Sequence, residues 1–245
     1  MINQAENIVH PRRARDLSIE GRRKLITEFA WGSDLIDASL TRLAESCVAL
    51  DFRRRRLIYR AGDLADSLFV IVSGRVKFSR IEQNSGREAV TDILSEGSLF
   101  GEAALYASRG LRESWAITYE QSRLLRIPAG AFQLAMAEDR QLHNYTFRLI
   151  GQRLENAERR LADFALHAVP RRLERMLLEF SERYGVLKDE GVLIDIPLPH
   201  REIASIVGAT RESVTVRLNA MRREGTIDFV NRKILVKRPA ALAPS

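Results

Sequence analysis

Apolar residues recur along the chain with different spacings, and each spacing predicts a different kind of element. Residues 25–46 have helix-like spacing. From about residue 47 the apolar residues form short, β-rich segments, and two of these flank "NSG", a good hairpin turn. The run "SLFVIVSG" is apolar on both faces, so we expect it to be buried on both. Many short strands at this spacing favour a sandwich or a barrel.

A long helix is predicted for residues 138–168, because apolar residues there recur every 3.5 residues on average. Such a narrow seam indicates a homodimer, and the alternative is a helix packed on its own domain. Pro170 should end this helix. The predicted dimer interface consists of Phe147, Ile150, Leu154, Ala157, Leu161 and Phe164.

The C-terminal part of the chain has the pattern of a winged helix-turn-helix. After a predicted helix at 171–184, "VLIDIPLP" indicates a short strand, and two short helices follow on either side of Gly208. Thr210 is placed to cap the second of these helices. The alternation around "VNRK" then predicts a β-hairpin, the wing.

The second short helix has one apolar and one polar face at 100° per residue. Val214, Leu218 and Met221 form the stripe that should be buried, whereas Glu212, Thr215, Val216, Asn219 and Arg223 face outward. Arg can bond guanine O6 and N7, and Glu can accept from a cytosine amino group, so this first turn suits the DNA major groove. The alternative is a surface ion pair of little energy. The predicted DNA contacts are Arg211, Glu212, Thr215, Thr210, Ser213, His200 and Arg217.

Composition and charge change this picture only slightly. The chain has 245 residues and a net charge of +7, and the excess positive charge lies at the two ends. A polyanionic partner for the C-terminal part explains that placement, and a solvated basic surface is the alternative. The sequence contains no apolar run of membrane-spanning length and no secretory signal. A single cysteine, Cys47, points to a reducing cytoplasm.

Three segments resemble the Crp/Fnr family of bacterial transcription regulators: "HREIASIVGATRESVTVRLNAMRREGTI", "GDLADSLFVIVSGRVKF" and "GSLFGEAAL". The resemblance covers roughly residues 45–240. It implies an α+β fold with an N-terminal β jelly-roll sensor of the cyclic-nucleotide-binding type, a long dimerisation helix and a C-terminal winged helix-turn-helix that binds palindromic DNA. The expected divisions are a basic tail (1–24), a jelly-roll effector domain with N-terminal helices (25–137), the dimerisation helix (138–168) and the DNA-binding domain (169–245).

In the DNA-binding segment, this chain departs from the family at Val216. Family members often carry an Arg at this position, where it contacts a base. Arg217 is the next residue, but it lies far from the centre of the outward face, so we expect it to touch phosphate or a neighbouring helix. The resemblance then implies that each half of the palindromic operator, the half-site, keeps a G·C pair contacted by Arg211 and Glu212. The half-site should differ from those of other family members at the base that the missing Arg would contact.

The sensor segment also departs from the family. In its cyclic-AMP receptors, a Gly-Glu pair is followed by an Arg-Ser pair; Glu binds the ribose, and Arg and Ser hold the phosphate. This chain keeps Gly101, Glu102 and Arg112 but has Glu113 in place of Ser. A carboxylate at ~4 Å from a phosphate costs about 4 kcal/mol at an effective dielectric constant of 20. We therefore expect Glu113 to turn to solvent or to pair with Arg112.

Two further contacts to the cyclic-AMP base are missing, because Ala157 and Glu158 lack the expected hydroxyl groups. Cyclic AMP is thus not the expected effector, although a regulator that does bind it or a related nucleotide stays open as an alternative. The candidate effector pocket comprises Gly101, Glu102, Arg112 and Glu113. It could take an unidentified small anion, or action could be ligand-independent.

Other classes of protein fit less well. One cysteine cannot hold an iron–sulfur cluster or a structural zinc ion, and the scattered histidines offer no haem site. Residues 45–137 contain no histidine, which argues against a cupin-type metalloenzyme. We therefore expect no enzyme activity, metal or cofactor. The expected partners are double-stranded DNA, a second copy of the chain and, if it activates transcription, RNA polymerase. A regulatory subunit acting on a protein partner is a remote alternative.

Overall fold

The chain forms two compact units, Met1–Leu154 and Glu155–Ser245. The computed structural model describes residues 12–13, 17–106, 110–237 and 239, so most of the predicted basic tail lies outside the described residues. Within the described ranges, no helix is both long enough and apolar enough to cross a membrane.

The first unit combines short helices with many short strands. Its elements are β1 (Arg12–Arg13), α1 (Ile19–Glu28), α2 (Asp37–Ser46), β2 (Val48–Phe52), β3 (Leu57–Tyr59), β4 (Ser67–Ser73), β5 (Arg75–Ile81), β6 (Glu88–Ser95), β7 (Leu99–Phe100), α3 (Ala103–Tyr106), β8 (Trp115–Thr118), β9 (Ser122–Pro128) and α4 (Ala129–Glu138). Helix α5 (Arg140–Leu166) begins in this unit and ends in the second.

The strands of the first unit form two antiparallel sheets, in the orders β1-β2-β9-β4-β7 and β3-β8-β5-β6. Side chains from both sheets, such as Phe69 and Phe78, share one hydrophobic core, so the sheets pack face to face. The β5–β6 hairpin encloses "NSG" as predicted. The predicted fold class, an N-terminal β-sheet domain followed by a long helix and a helix-turn-helix, is confirmed.

Strand β4 lies between two cores, as its unbroken apolar run predicts. Leu68 and Val70 pack with apolar residues of α1, α2 and α4. Phe69 and Ile71 alternate with them along the strand and belong to the core between the sheets. Burial on both faces explains why this strand shows no polar alternation.

Helix α1 begins inside the segment predicted to be a tail. Ser18 caps it by accepting a hydrogen bond from the backbone N–H of Gly21 at 3.1 Å. Arg22 donates to the carbonyl oxygen of Cys47 at 2.9 Å, and Ile26 is fully buried. Part of the positive charge assigned to the tail is therefore bonded to the body of the domain.

Helix α5 begins at Arg140 because Asp139 separates it from α4. Asp139 has extended backbone, and its Oδ1 accepts from the N–H groups of Gln141 at 2.9 Å and Leu142 at 3.2 Å. At 1.5 Å per residue the helix is about 40 Å long. It ends at Leu166, slightly before the predicted boundary.

The second unit contains α6 (Val169–Tyr184), β10 (Gly185–Lys188), β11 (Gly191–Ile194), α7 (His200–Val207), α8 (Arg211–Arg223), β12 (Ile227–Val230) and β13 (Lys233–Val236). The four strands form one antiparallel sheet, β10-β11-β13-β12. The predicted wing is the β12–β13 hairpin, and its turn residues Asn231 and Arg232 both have positive φ, as a type I′ turn requires. Strand β10 was not predicted, because all four of its residues are exposed and show no alternation.

The glycine at residue 74 provides a test of the β-sandwich. Gly74 has φ +86°, and an added Cβ would lie 2.4 Å from the carbonyl oxygen of Gln121. Gly62 has a similar φ, +91°, but an added Cβ there would meet nothing within 4 Å. We expect Gly74→Ala to lower the free energy of unfolding by about 1–3 kcal/mol more than Gly62→Ala does.

Urea denaturation followed by tryptophan fluorescence measures this difference, because Trp31 and Trp115 both lie in the first unit. Gly62→Ala is the matched control, since both variants carry the backbone strain of a positive φ. Equal losses of stability in the two variants would contradict the predicted steric clash.

Candidate nucleic-acid interface and effector pocket

The turn between α7 and α8 is built around Gly208. Its φ of +63° is left-handed, and an added Cβ would lie 2.4 Å from Cε1 of Phe164, so only glycine fits. The Arg172 guanidinium lies 4.7 Å from the centroid of the Phe164 ring. Arg172 also donates to the carbonyl oxygens of Val207 at 2.9 Å and Gly208 at 3.2 Å. The role of Arg172 could not be predicted from the sequence, because these contacts join residues far apart in the chain.

Helix α8 buries one face and displays the other. Thr210 caps it by accepting from the N–H of Ser213 at 3.2 Å, as predicted. The stripe predicted to be buried is fully enclosed and consists of Val214, Leu218 and Met221. The helix therefore has the orientation that its sequence predicts.

Arg211 and Glu212 lie in the exposed first turn of α8. Among the described residues, neither side chain forms an ion pair or a hydrogen bond, so the two do not form the surface ion pair considered as an alternative. Adjacent residues on a helix do not face each other, which explains why they stay apart. Both side chains are available to bond a partner molecule.

His200 and Thr215 connect α7 to α8. The Thr215 hydroxyl donates to the carbonyl oxygen of Arg211 at 2.8 Å, so it accepts from Nδ1 of His200, also at 2.8 Å. Burial, and then the positive charge of Arg211, lower the pKa of His200. The lowered pKa favours the neutral ring, and the hydrogen bond to Thr215 favours the tautomer with its proton on Nδ1. This arrangement positions the first turn of α8. The sequence predicts a DNA contact for His200 and gives no sign of this positioning role.

Arg217 binds within its own chain. It pairs with Glu174 of α6 at 2.7 Å and with Glu224 at 3.3 Å. Of the two roles expected for it, the structure therefore shows the contact to a neighbouring helix. The guanidinium holds α8 against α6 instead of projecting from the outward face.

The predicted seam of α5 is largely uncovered. Phe147 is 74% exposed and Leu154 60%, and the other seam residues Ile150, Ala157 and Leu161 are also exposed. Phe164 is 46% exposed as well, although part of its ring packs on Gly208 and beneath Arg172. Large apolar side chains in an exposed row are typical of a protein–protein interface.

Arg112 lies inside the first unit and is only 4% exposed. Its Nη1 donates to the carbonyl oxygen of Gly101 at 2.8 Å, and its Nη2 donates to that of Ser67. The guanidinium also stacks on Tyr59, 4.4 Å from the ring centroid. Backbone oxygens and an aromatic ring therefore surround the group expected to hold a phosphate.

The two glutamates of the candidate pocket have different partners. Glu102 pairs with Arg153 of α5, which also donates to the carbonyl oxygen of Leu99 at 2.7 Å. Glu113 points to solvent and pairs with Arg80 at 2.8 Å. It does not pair with Arg112. Of the two arrangements expected for Glu113, the structure therefore shows the one in which the carboxylate turns to solvent. Arg153 could not be assigned to the candidate pocket from the sequence, because it lies 51 positions from Glu102.

Aromatic rings pack between the sheets beside Arg112. Tyr59, Phe69 and Phe78 surround Phe100, with ring centroids 5.1 to 6.3 Å apart. Cys47 is buried in the other core of the unit, and burial raises the pKa of its thiol to about 11. A neutral, buried thiol is typical of a packing residue.

Each of the two units matches a known family of protein domains. The model of the cyclic nucleotide-binding domain matches residues 49–139, and that of the Crp-like helix-turn-helix domain matches residues 171–244. The global nitrogen regulator of Synechococcus elongatus is 31% identical over 193 residues, which are 78% of this chain and 86% of that regulator. The CRP-like cAMP-activated global transcriptional regulator of Mycobacterium tuberculosis is 28% identical over 206 residues, 84% of this chain and 91% of that protein.

A solved structure shows the same fold. The c-di-GMP responsive global regulator CLP of Xanthomonas campestris superposes with a TM-score of 0.71 at 22% identity, covering 82% of this chain and 99% of CLP. The chain therefore belongs to the Crp/Fnr family of DNA-binding transcription regulators.

Proposed function

We propose that this regulator acts as a homodimer that binds a palindromic operator through α8 without requiring cyclic AMP. The observation that carries the proposal is the free, exposed pair Arg211 and Glu212 at the start of a helix whose opposite face is buried. Arg211 would bond guanine O6 and N7, and Glu212 would accept from the cytosine amino group. The hydroxyl groups of Thr210 and Ser213 lie beside them at the helix N-terminus, where a DNA phosphate is favoured.

The exposed seam of α5 supports a dimer with a second copy of the chain. Phe147, Leu154 and Leu161 would be covered by the same residues of that copy, since a two-fold interface uses one surface twice. Two copies of α8 would then enter successive major grooves about 34 Å apart, which requires a palindromic operator. RNA polymerase would be a further partner if the protein activates transcription, and a cytoplasmic location follows from DNA binding.

The sensor pocket argues against cyclic AMP. Arg112 is already bonded to two backbone oxygens. Glu113 replaces the serine that binds phosphate in the family's cyclic-AMP receptors, and its side chain turns to solvent and pairs with Arg80, so it offers a phosphate no hydroxyl group. The relatives named above are described as responding to different nucleotides, cAMP and c-di-GMP, so family membership alone does not identify an effector. The pocket would serve another small anion, or the regulator would act according to its abundance.

A cyclic-AMP response is the second candidate, since Glu102 and Arg112 are retained and the Mycobacterium tuberculosis relative is cAMP-activated. One measurement, the response to cyclic AMP, distinguishes the two candidate functions. We expect 1 mM cyclic AMP to change neither the melting temperature nor the affinity for a selected operator. A rise in operator affinity of tenfold or more would establish the second candidate and refute the first.

Arg211→Ala is expected to weaken binding to the selected operator at least about tenfold, because a bidentate contact to guanine is worth about 1–3 kcal/mol. Electrophoretic mobility shift or fluorescence anisotropy measures the change. Arg87→Ala removes the same charge from an exposed turn of the first unit and serves as the control. An equal loss of operator affinity in the two variants would show that Arg211 contributes only its charge and makes no specific contact to guanine.

Leu154→Asp is expected to give a monomer and to abolish operator binding, because a carboxylate would be buried in the seam. Analytical ultracentrifugation and operator binding are the two readouts. Gln152→Asp introduces the same group at an exposed position outside the seam and should stay dimeric. A Leu154→Asp variant that remains a dimer and binds fully would contradict the proposed interface.

A further inference from the structure

Val216 is an apolar residue at the centre of the exposed face of α8. It follows Glu212 by four residues and precedes Asn219 by three and Arg223 by seven, so the four side chains form one row along the helix. Val216 is 68% exposed, whereas the other three residues of the row are polar or charged.

Single exposed apolar residues are common on protein surfaces, so exposure alone indicates nothing. Val216, however, lines a surface concavity of about 610 Å³ together with Asn219, Arg222 and Arg223. Arg223 forms no ion pair with another described residue. Arg222 pairs with Asp228 at 3.1 Å. The apolar group therefore lies beside one cationic end, that of Arg223, which suits a phosphate, on the face that would enter the groove.

The chemistry of valine limits what it can recognise there. It offers neither a donor nor an acceptor, and the group of a base edge in the major groove that favours an apolar contact is the C5 methyl of thymine. At 1.5 Å per residue, Val216 lies about 6 Å along the helix from Glu212, which corresponds to one or two base pairs. The methyl group should therefore lie close to the G·C pair contacted by Arg211 and Glu212.

We infer that Val216 is a specificity-determining residue that contacts the C5 methyl of a thymine within three base pairs of that G·C pair. This inference rests on the proposed function, because it requires α8 to lie in the major groove. Burying one methyl group changes affinity about fourfold per half-site.

The test begins with in vitro selection of the operator by the full-length protein. Each thymine of the half-site is then replaced in turn by deoxyuridine, which removes the methyl group and keeps the base pair. The wild-type protein is expected to lose about fourfold affinity at one thymine near the G·C pair, and Val216→Ala is expected to lose that sensitivity. Val186→Ala, at an exposed valine of β10, should keep it.

Three results would overturn the inference: a selected half-site without thymine in that window, no methyl-sensitive thymine, or equal sensitivity in wild type and Val216→Ala. Failure of the proposed function has a different signature. In that case no selected duplex would bind with a steep dependence on salt, and Arg211→Ala would change nothing.

Discussion

The turn at Gly208 is the constraint on which the DNA-binding unit depends. Its left-handed backbone sets the angle between α7 and α8, and the Phe164 ring leaves no room for a Cβ. Arg172 stacks on that ring and bonds the two carbonyl oxygens at the end of α7. These contacts join the end of α5, the start of α6 and the turn. They therefore fix the position from which α8 begins.

Arginines in this protein divide into those that hold the fold and those left free for a partner. Arg172 and Arg217 bind carbonyl or carboxylate oxygens of neighbouring helices in the DNA-binding unit. Arg112 does the same inside the sensor unit. Arg211 and Arg223, in contrast, make no ion pair with another described residue. The net positive charge of the chain is therefore a weaker indication of DNA binding than these two arginines, which have no ion-pair partner among the described residues.

The sensor unit keeps the frame of its family, and each charged side chain of its candidate pocket has a bonding partner within the unit. Arg112 bonds backbone oxygens, Glu102 bonds Arg153, and Glu113 bonds Arg80. Because Arg153 lies on α5, one residue before the seam position Leu154, the Glu102 ion pair ties the pocket to the helix that would form the dimer. A ligand that displaced this pair would act directly on that helix, which gives a physical route from pocket to interface.

The sequence by itself determined the elements whose stability comes from local periodicity and turn chemistry. The alternating and unbroken apolar runs predicted the strands, the 3.5-residue repeat predicted α5, and Gly208 with Thr210 predicted the helix-turn-helix, because these signals depend on residues a few positions apart. Only the tertiary structure decided which charged side chains bind each other. Arg153 bonds Glu102, Arg172 bonds Val207 and Arg217 bonds Glu174, and each of these partners lies tens of residues away in the chain. Such pairs leave no local pattern, since their geometry exists only after the helices have packed.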